Sequence, residues 1–314
     1  MGAPLLRRVM TRPGRPTPGP WPGVRAMTLV ASVALFLGCT ASEAPNVAAP
    51  PAIVFDWMRN GNRDIYRAAL DGRDVVRLTS DPGDDQHPTE RAGAVVFTSY
   101  RDGHAQLYAV AATGGGTARR LTNTAFNETQ PALSPDGTKI AYLTDSSGVP
   151  KLWLCAADGS GLRPLTAGFG FAGSVEASPS WAPSGDRLVF VSTAGGTAGL
   201  YIIDVAGGTP TPLVVDTSAN VEPAWSPDGR LVAFASDRAG LTNIFTVDVV
   251  TQQIRPLTAD VATAGQPSWL ADGRLVYTSW SGGTPRLRWR DPTADSAVNI
   301  DLGAGDAQHA SAMH

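Results

Sequence analysis

From residue 53 onward, short apolar runs alternate with Gly-, Pro-, Asp- and Ser-rich punctuation, and the alternation itself recurs at a near-constant interval. The segments ETQPALSPDGTKIAYLTD, ASPSWAPSGDRLVFVST, VEPAWSPDGRLVAFASD and AGQPSWLADGRLVYTSW align one under another. Each carries a proline, a large apolar residue two positions on, a tight Gly turn, and an apolar run that ends in small polar residues. The prolines are Pro88, Pro131, Pro179, Pro223 and Pro267, in steps of 43, 48, 44 and 44 residues. A fixed period in this range is the mark of a propeller or a solenoid.

Each period predicts four strands. The first follows the proline, as in Ala224-Trp225, and a Pro-Asp-Gly or Ser-Gly turn leads to a second run such as Leu231-Val232-Ala233-Phe234. In such turns Asp accepts from nearby backbone N–H groups and Gly supplies a positive φ. The third strand carries an apolar–aromatic pair in five copies: Ile65-Tyr66, Leu107-Tyr108, Leu152-Trp153, Leu200-Tyr201 and Ile244-Phe245. The sixth copy reads Leu287-Arg288-Trp289, and the fourth strands end at Leu78, Leu121, Leu165, Leu213, Leu257 and Leu302. Strands this short are not stable alone and bury their faces only against neighbouring sheets. The expectation is all-β: a six-bladed β-propeller of four-stranded antiparallel blades. The C-terminal DAQHASAMH matches the first-strand DDQHPTE, so residues 307–313 are expected to complete the blade built from residues 53–79 and to remove the open edges. The alternative strand, EAPNVAAP, is rich in proline and lacks a turn.

Residues 1–39 read as a signal peptide. Five arginines and no acid precede an apolar stretch, Met27–Leu37, that is too short to span a bilayer. It ends in Leu-Phe-Leu-Gly-Cys39, which resembles a bacterial lipobox. Lipidation of Cys39 is expected, with Thr40 favouring the outer membrane; an ordinary cleaved signal is the alternative. Residues 40–52 read as a flexible tether, and residues 53–314 as the propeller. Without the leader, 20 basic residues face 28 acidic ones, a net charge of −8 that argues against nucleic acid. Cys155 is then the only other cysteine, so no intrachain disulfide is expected in the mature domain.

SPDG…IAYLTDSSG…LWLCAADG…PLT and SYRDGHAQLYAV…GGTARRLT resemble the WD40-like repeats of TolB-like β-propellers, which also occur in prolyl-oligopeptidase-type peptidases. The resemblance spans about residues 53–314 and implies the fold; such propellers serve many tasks. TolB carries an α/β domain before its propeller where this sequence shows a tether. The peptidases carry a G-x-S-x-G elbow that this sequence lacks.

In an up-and-down blade, the loops between second and third strands share one face with the interblade loops, around the channel mouth, and loops on a rigid scaffold carry recognition. The hairpins are expected to present Trp57, Arg59, Arg101, Asp102, His104, Asp237, Arg238 and Trp280, and the interblade segments Asp85, His87, Glu128, Glu176, Glu222 and Gln266. The longest interblade segment, TAGFGFAGSVEAS, is expected to expose Phe169 and Phe171. These charges also suit plain structural duties, capping turns or accepting backbone N–H groups, and Trp181, Trp225 and Trp269 read as packing. The favoured function is a non-enzymatic cell-envelope lipoprotein on the periplasmic side, without a cofactor, binding a protein, peptide or glycan at the mouth. The alternative is a hydrolase or lyase with one divalent metal on His87, His104 and His309. Imidazole and carboxylate suit such an ion, and some TolB-like propellers are sugar lyases with a histidine-bound metal.

Overall fold

The computed structural model describes residues 51–259, 262–294 and 296–313. The signal peptide, Cys39 and most of the expected tether lie outside the described residues, as does the alternative strand EAPNVAAP.

Among the described residues, apart from one 3-10 turn at Ser281–Gly283, the regular structure is all strand. The chain opens with β1 (Ala52–Arg59), β2 (Asn62–Ala69) and β3 (Val76–Arg77). Four complete blades follow: β4 (Asp85–Arg91) to β7 (Arg119–Arg120), β8 (Glu128–Leu133) to β11 (Arg163–Pro164), β12 (Glu176–Trp181) to β15 (Thr211–Val214), and β16 (Asn220–Trp225) to β19 (Ile254–Pro256). A fifth runs from β20 (Ala264–Trp269) to β23 (Val298–Asn299). The last strand, β24 (Asp306–Ala312), pairs antiparallel with β1, giving the order β24-β1-β2-β3 and a ring of six four-stranded sheets. The expected closure by the chain's own C-terminal strand is what the fold displays.

Period-2 alternation sends successive side chains to opposite faces of each sheet. Ile53, Phe55 and Trp57 therefore face Val276 and Leu287 of the preceding blade, while Val54 meets Val95 and Phe97 of the next. The core lies between blades rather than within one. A recurring Leu-Thr adds an intrablade tie: the hydroxyls of Thr79, Thr122, Thr166 and Thr258 accept the N–H groups of Ile65, Leu107, Leu152 and Ile244 at 2.9–3.2 Å. The Asp-Gly turns form as the spacing predicts. Asp228 accepts the N–H of Arg230 at 3.0 Å, and Gly229 takes φ +71°. Trp181 and Trp269 donate their indole N–H to Ala132 and Ala224 of the preceding blade, which fits their reading as packing residues.

Candidate functional site

The six inner strands share one defect. In β4, β8, β12, β16, β20 and β24 two residues oppose one on the partner strand, a bulge in every blade. The first bulged residue takes a left-handed φ each time: His87 +53°, Gln130 +50°, Ser178 +50°, Glu222 +53°, Gln266 +53° and His309 +48°. Proline follows in five of the six copies and Ala310 in the last. A non-glycine in this region is uncommon, and its recurrence makes it a built feature of the channel wall. These six residues and their followers line a cavity of about 270 Å³.

Side chain reaches to backbone from blade to blade around this ring. The N–H of His87 donates to Asp56, that of Gln130 to Thr98, and that of Ser178 to Gln130. The N–H of Gln266 donates to Glu222 at 2.7 Å, and that of His309 to Gln266 at 3.1 Å. Asp56, wholly buried on β1, is the junction. It pairs with Arg63, lies 2.7 Å from the His309 Nδ1, and accepts the His87 N–H at 3.3 Å. Burial disfavours its charge, yet the hydrogen bond and charge of His309, then Arg63, hold its pKa below the usual carboxylate value.

The rings of His87 and His309 lie 4.2 Å apart between centroids. Burial, then the neighbouring His309, pushes the His87 pKa down to about 3, so its imidazole is neutral near pH 7. A native pKa below the unfolded value of about 6.5 contributes stability that is complete above pH 6.5 and lost as pH falls toward 3. His87→Gln places at this position the residue that Gln130 and Gln266 already carry in equivalent positions. Relative to that variant, the native chain is expected to lose about 1.4 kcal/mol per pH unit below 6.5, or about 2 kcal/mol by pH 5. Urea unfolding of both proteins at pH 7 and 5 measures it; a stability difference independent of pH would overturn the assignment.

The expected mouth residues divide. Asp85 starts β4, wholly buried, and Arg101 grips it at 3.0 Å. Glu176 accepts the Leu152 N–H at 2.7 Å and pairs with Lys151, as its backbone-accepting reading proposed. Glu128 accepts from Thr124 and Thr144. Burial raises the pKa of all three carboxylates. Arg238 bonds Asn220 at 2.6 Å and Asp216, and Asp102 takes the Tyr108 hydroxyl and Arg120. Asp237 accepts the Ala219 N–H at 3.0 Å. Arg101 and Arg238, expected at the mouth, are thus engaged with the protein's own groups, while Arg59 lies over the Trp57 ring at 4.4 Å.

Three placements are corrections. Trp57 is 2% exposed and belongs to the core, because it continues the inward register of Ile53 and Phe55. Phe169 folds back edge-on against Phe190 and Tyr201, so only Phe171, at 56% exposure, projects from that loop. Glu222 lies not between blades but within β16, two residues beyond the start that Glu176 occupies in β12, and it is a member of the channel ring. Trp280 is half-buried at the end of β21 (Leu275–Ser279), where its N–H donates to Thr263.

His104 sits exposed at the hairpin between β5 (Ala94–Asp102) and β6 (His104–Ala111), opposite Asp102. Among the described residues, no group of three or more His, Cys, Asp or Glu side chains converges as metal ligands. His309 spends its Nδ1 on Asp56. The structure brings the rings of His87 and His309 together and places His104 apart from the channel lining, on the exposed hairpin.

Asp56, Gln130 and Ser178 went unremarked in the sequence, and so did a set of apolar residues. Tyr100, Phe126, Val175, Val215 and Leu241 are exposed, and with Phe171 they lie on hairpins and interblade loops of the mouth face. The loops are pinned there by bonds such as Tyr100 N–H to Asp84 and Asp145 N–H to Asn127.

Comparison with known proteins is consistent with this architecture. The family model described as TolB beta propeller domain matches residues 33–169 and 169–309. The chain belongs to that family. A TolB homolog of Chlorobium luteolum is 35% identical over 156 residues, covering 36% of this chain and 35% of that protein. The Tol-Pal system protein TolB of Anaeromyxobacter dehalogenans is 31% identical over 130 residues, 38% of this chain and 27% of that one. The match thus spans well under half of these curated relatives. Among solved structures, TolB from Acinetobacter baumannii superposes with a TM-score of 0.72 at 19% identity, over 83% of this chain and 66% of that one. A puromycin hydrolase shares the fold at 20% identity and a TM-score of 0.57, covering 81% of this chain and 47% of that one. At such identities the likeness concerns the fold alone.

Proposed function

We propose that this TolB-family propeller is a non-enzymatic cell-envelope protein, anchored on the periplasmic side of the outer membrane by a lipid on Cys39. It binds a segment of an envelope protein across the mouth of its channel. The observation that carries this is the rim itself. Tyr100, Phe126, Phe171, Val175, Val215 and Leu241 are large apolar side chains held in water by loops of four blades, all on one face. Scattered singly such residues need no explanation, but several on the loops of one face mark an interaction site. The rigid blades keep the loops ordered before contact, which lowers the entropy cost of binding.

The relatives named as Tol-Pal system proteins support an envelope setting. The apolar rim favours a protein partner over a glycan, because aliphatic and phenyl groups gain most from apolar contact.

The triple variant Phe126→Ser, Phe171→Ser, Leu241→Ser tests the proposal against Val250→Ser, a control on the opposite face where Val250 is 84% exposed. A partner captured from envelope extract and identified should bind the triple variant at least about tenfold more weakly, since rim anchors contribute about 1–2 kcal/mol each. The Val250 control should bind normally. Equal affinity of the triple variant would overturn the proposal.

A further inference from the structure

The lining of the channel offers few free backbone hydrogen-bond donors. Five of its residues are prolines, which have no N–H. The N–H groups of His87, Gln130, Ser178, Gln266 and His309 are spent within the ring. Glu222 is the one carboxylate among the lining residues. Elsewhere near the mouth, three buried acids carry a basic partner: Asp56 has Arg63, Asp85 has Arg101, and Glu176 has Lys151, while Glu128 has the hydroxyls of Thr124 and Thr144. Glu222 has the Gln266 N–H at 2.7 Å and, among the described residues, no ion pair. The nearby His309 directs its Nδ1 to Asp56.

We infer that this cavity binds a primary ammonium group, from a lysine side chain or an N-terminal amine, with the Glu222 carboxylate as counter-ion. Burial raises the Glu222 pKa, and neither the one N–H it accepts nor the field of His309 removes that cost, so a cationic guest supplies what the chain leaves out. The neutral His87 imidazole lines the same wall without adding a positive charge, and the Ser178 hydroxyl is a second acceptor there. An ammonium has three donors and no acceptor, which complements this set.

Gly265 lets the carboxylate sit close to the backbone: the point its Cβ would occupy is 2.7 Å from the Glu222 Oε2 and 3.5–3.7 Å from the Trp280 indole carbons, so a side chain there would displace Glu222. The Gln130 and Gln266 amides use their oxygens within the ring, which leaves their NH₂ groups for a guest's carbonyls. This site lies below the rim and does not rest on the rim docking a protein.

Titration of the purified chain, followed by NMR or calorimetry, tests the inference with three probes: Nα-acetyl-lysine methylamide, glycylglycinamide and Nα-acetyl-norleucine methylamide. The first carries only a side-chain amine, the second only an α-amine, and the third neither. One amine probe should bind saturably at about millimolar Kd, and the better of the two names the source; the norleucine probe should not bind. Glu222→Gln keeps the oxygen that Gln266 needs and should weaken binding at least about tenfold without lowering the thermal midpoint. Adding Gln130→Glu restores a carboxylate at the equivalent ring position, where the side chain accepts the next blade's N–H in the same way, and should recover binding. Equal binding by the norleucine probe, undiminished binding by Glu222→Gln, or no saturable binding by either amine would overturn the inference.

Discussion

A chain truncated after Gly305 is expected to lose its cooperative thermal transition, or to unfold with a stability lower by about 5 kcal/mol or more, the order of a domain's whole stability. Strand β24 pairs along β1 from Ile53–Ala312 to Met58–Asp306. It also brings Ala307, Ala310 and Ala312, all buried, against Ile53, Phe55 and Trp57. Without it, one sheet loses its innermost strand and Trp57 faces water. The backbone of β1 becomes an open edge, which invites intermolecular pairing. Circular dichroism against temperature, with light scattering to follow aggregation, measures the effect. A midpoint equal to that of the intact chain would mean that closure contributes nothing.

Asp56→Ala is expected to cost about 3–5 kcal/mol, the range for removing one partner of a buried ion pair. The change strands Arg63, whose side chain is 12% exposed, and leaves the His87 N–H and His309 Nδ1 without their acceptor. Asp56→Asn keeps one acceptor oxygen and should fall between the two. The pH dependence fixes the sign. Because the native pKa of Asp56 is lowered from its ordinary value, its contribution is complete above that value and disappears as pH falls through the native one. Urea denaturation should therefore separate native and Asn forms widely at pH 7 and less in strong acid. A variant as stable as the native protein at pH 7 would remove Asp56 from the centre of the ring.

The blades were legible in the chain because period-2 alternation and tight turns are local signals, repeated six times, and the match of DAQHASAMH to DDQHPTE made closure legible too. Trp57 was misplaced although its register was available: Ile53, Phe55 and Trp57 stand at i, i+2 and i+4 and share one face. Its nearness to the Asn60-Gly61 turn suggested exposure. Phe169 could not be resolved locally, since its partners Phe190 and Tyr201 are distant in sequence and nothing in a Gly-rich loop says which ring folds inward. The channel ring was hidden for a different reason. Its prolines were plain, but the residue before a proline is ordinarily kept out of the α regions, so nothing signalled a left-handed turn at His87 or Glu222. The pairing of Arg101 and Arg238 with inner-strand residues likewise depends on strands meeting across a blade.

The repeated bulge has a consequence for how such a protein can change. The backbone alone sets where each ring side chain stands, and the six places hold four residue types: His, Gln, Ser and Glu. A substitution at any of them alters the pore's chemistry while the interblade core stays intact. Relatives could therefore diverge in what they admit by exchanging single residues at six fixed sockets, with the surrounding walls left as they were.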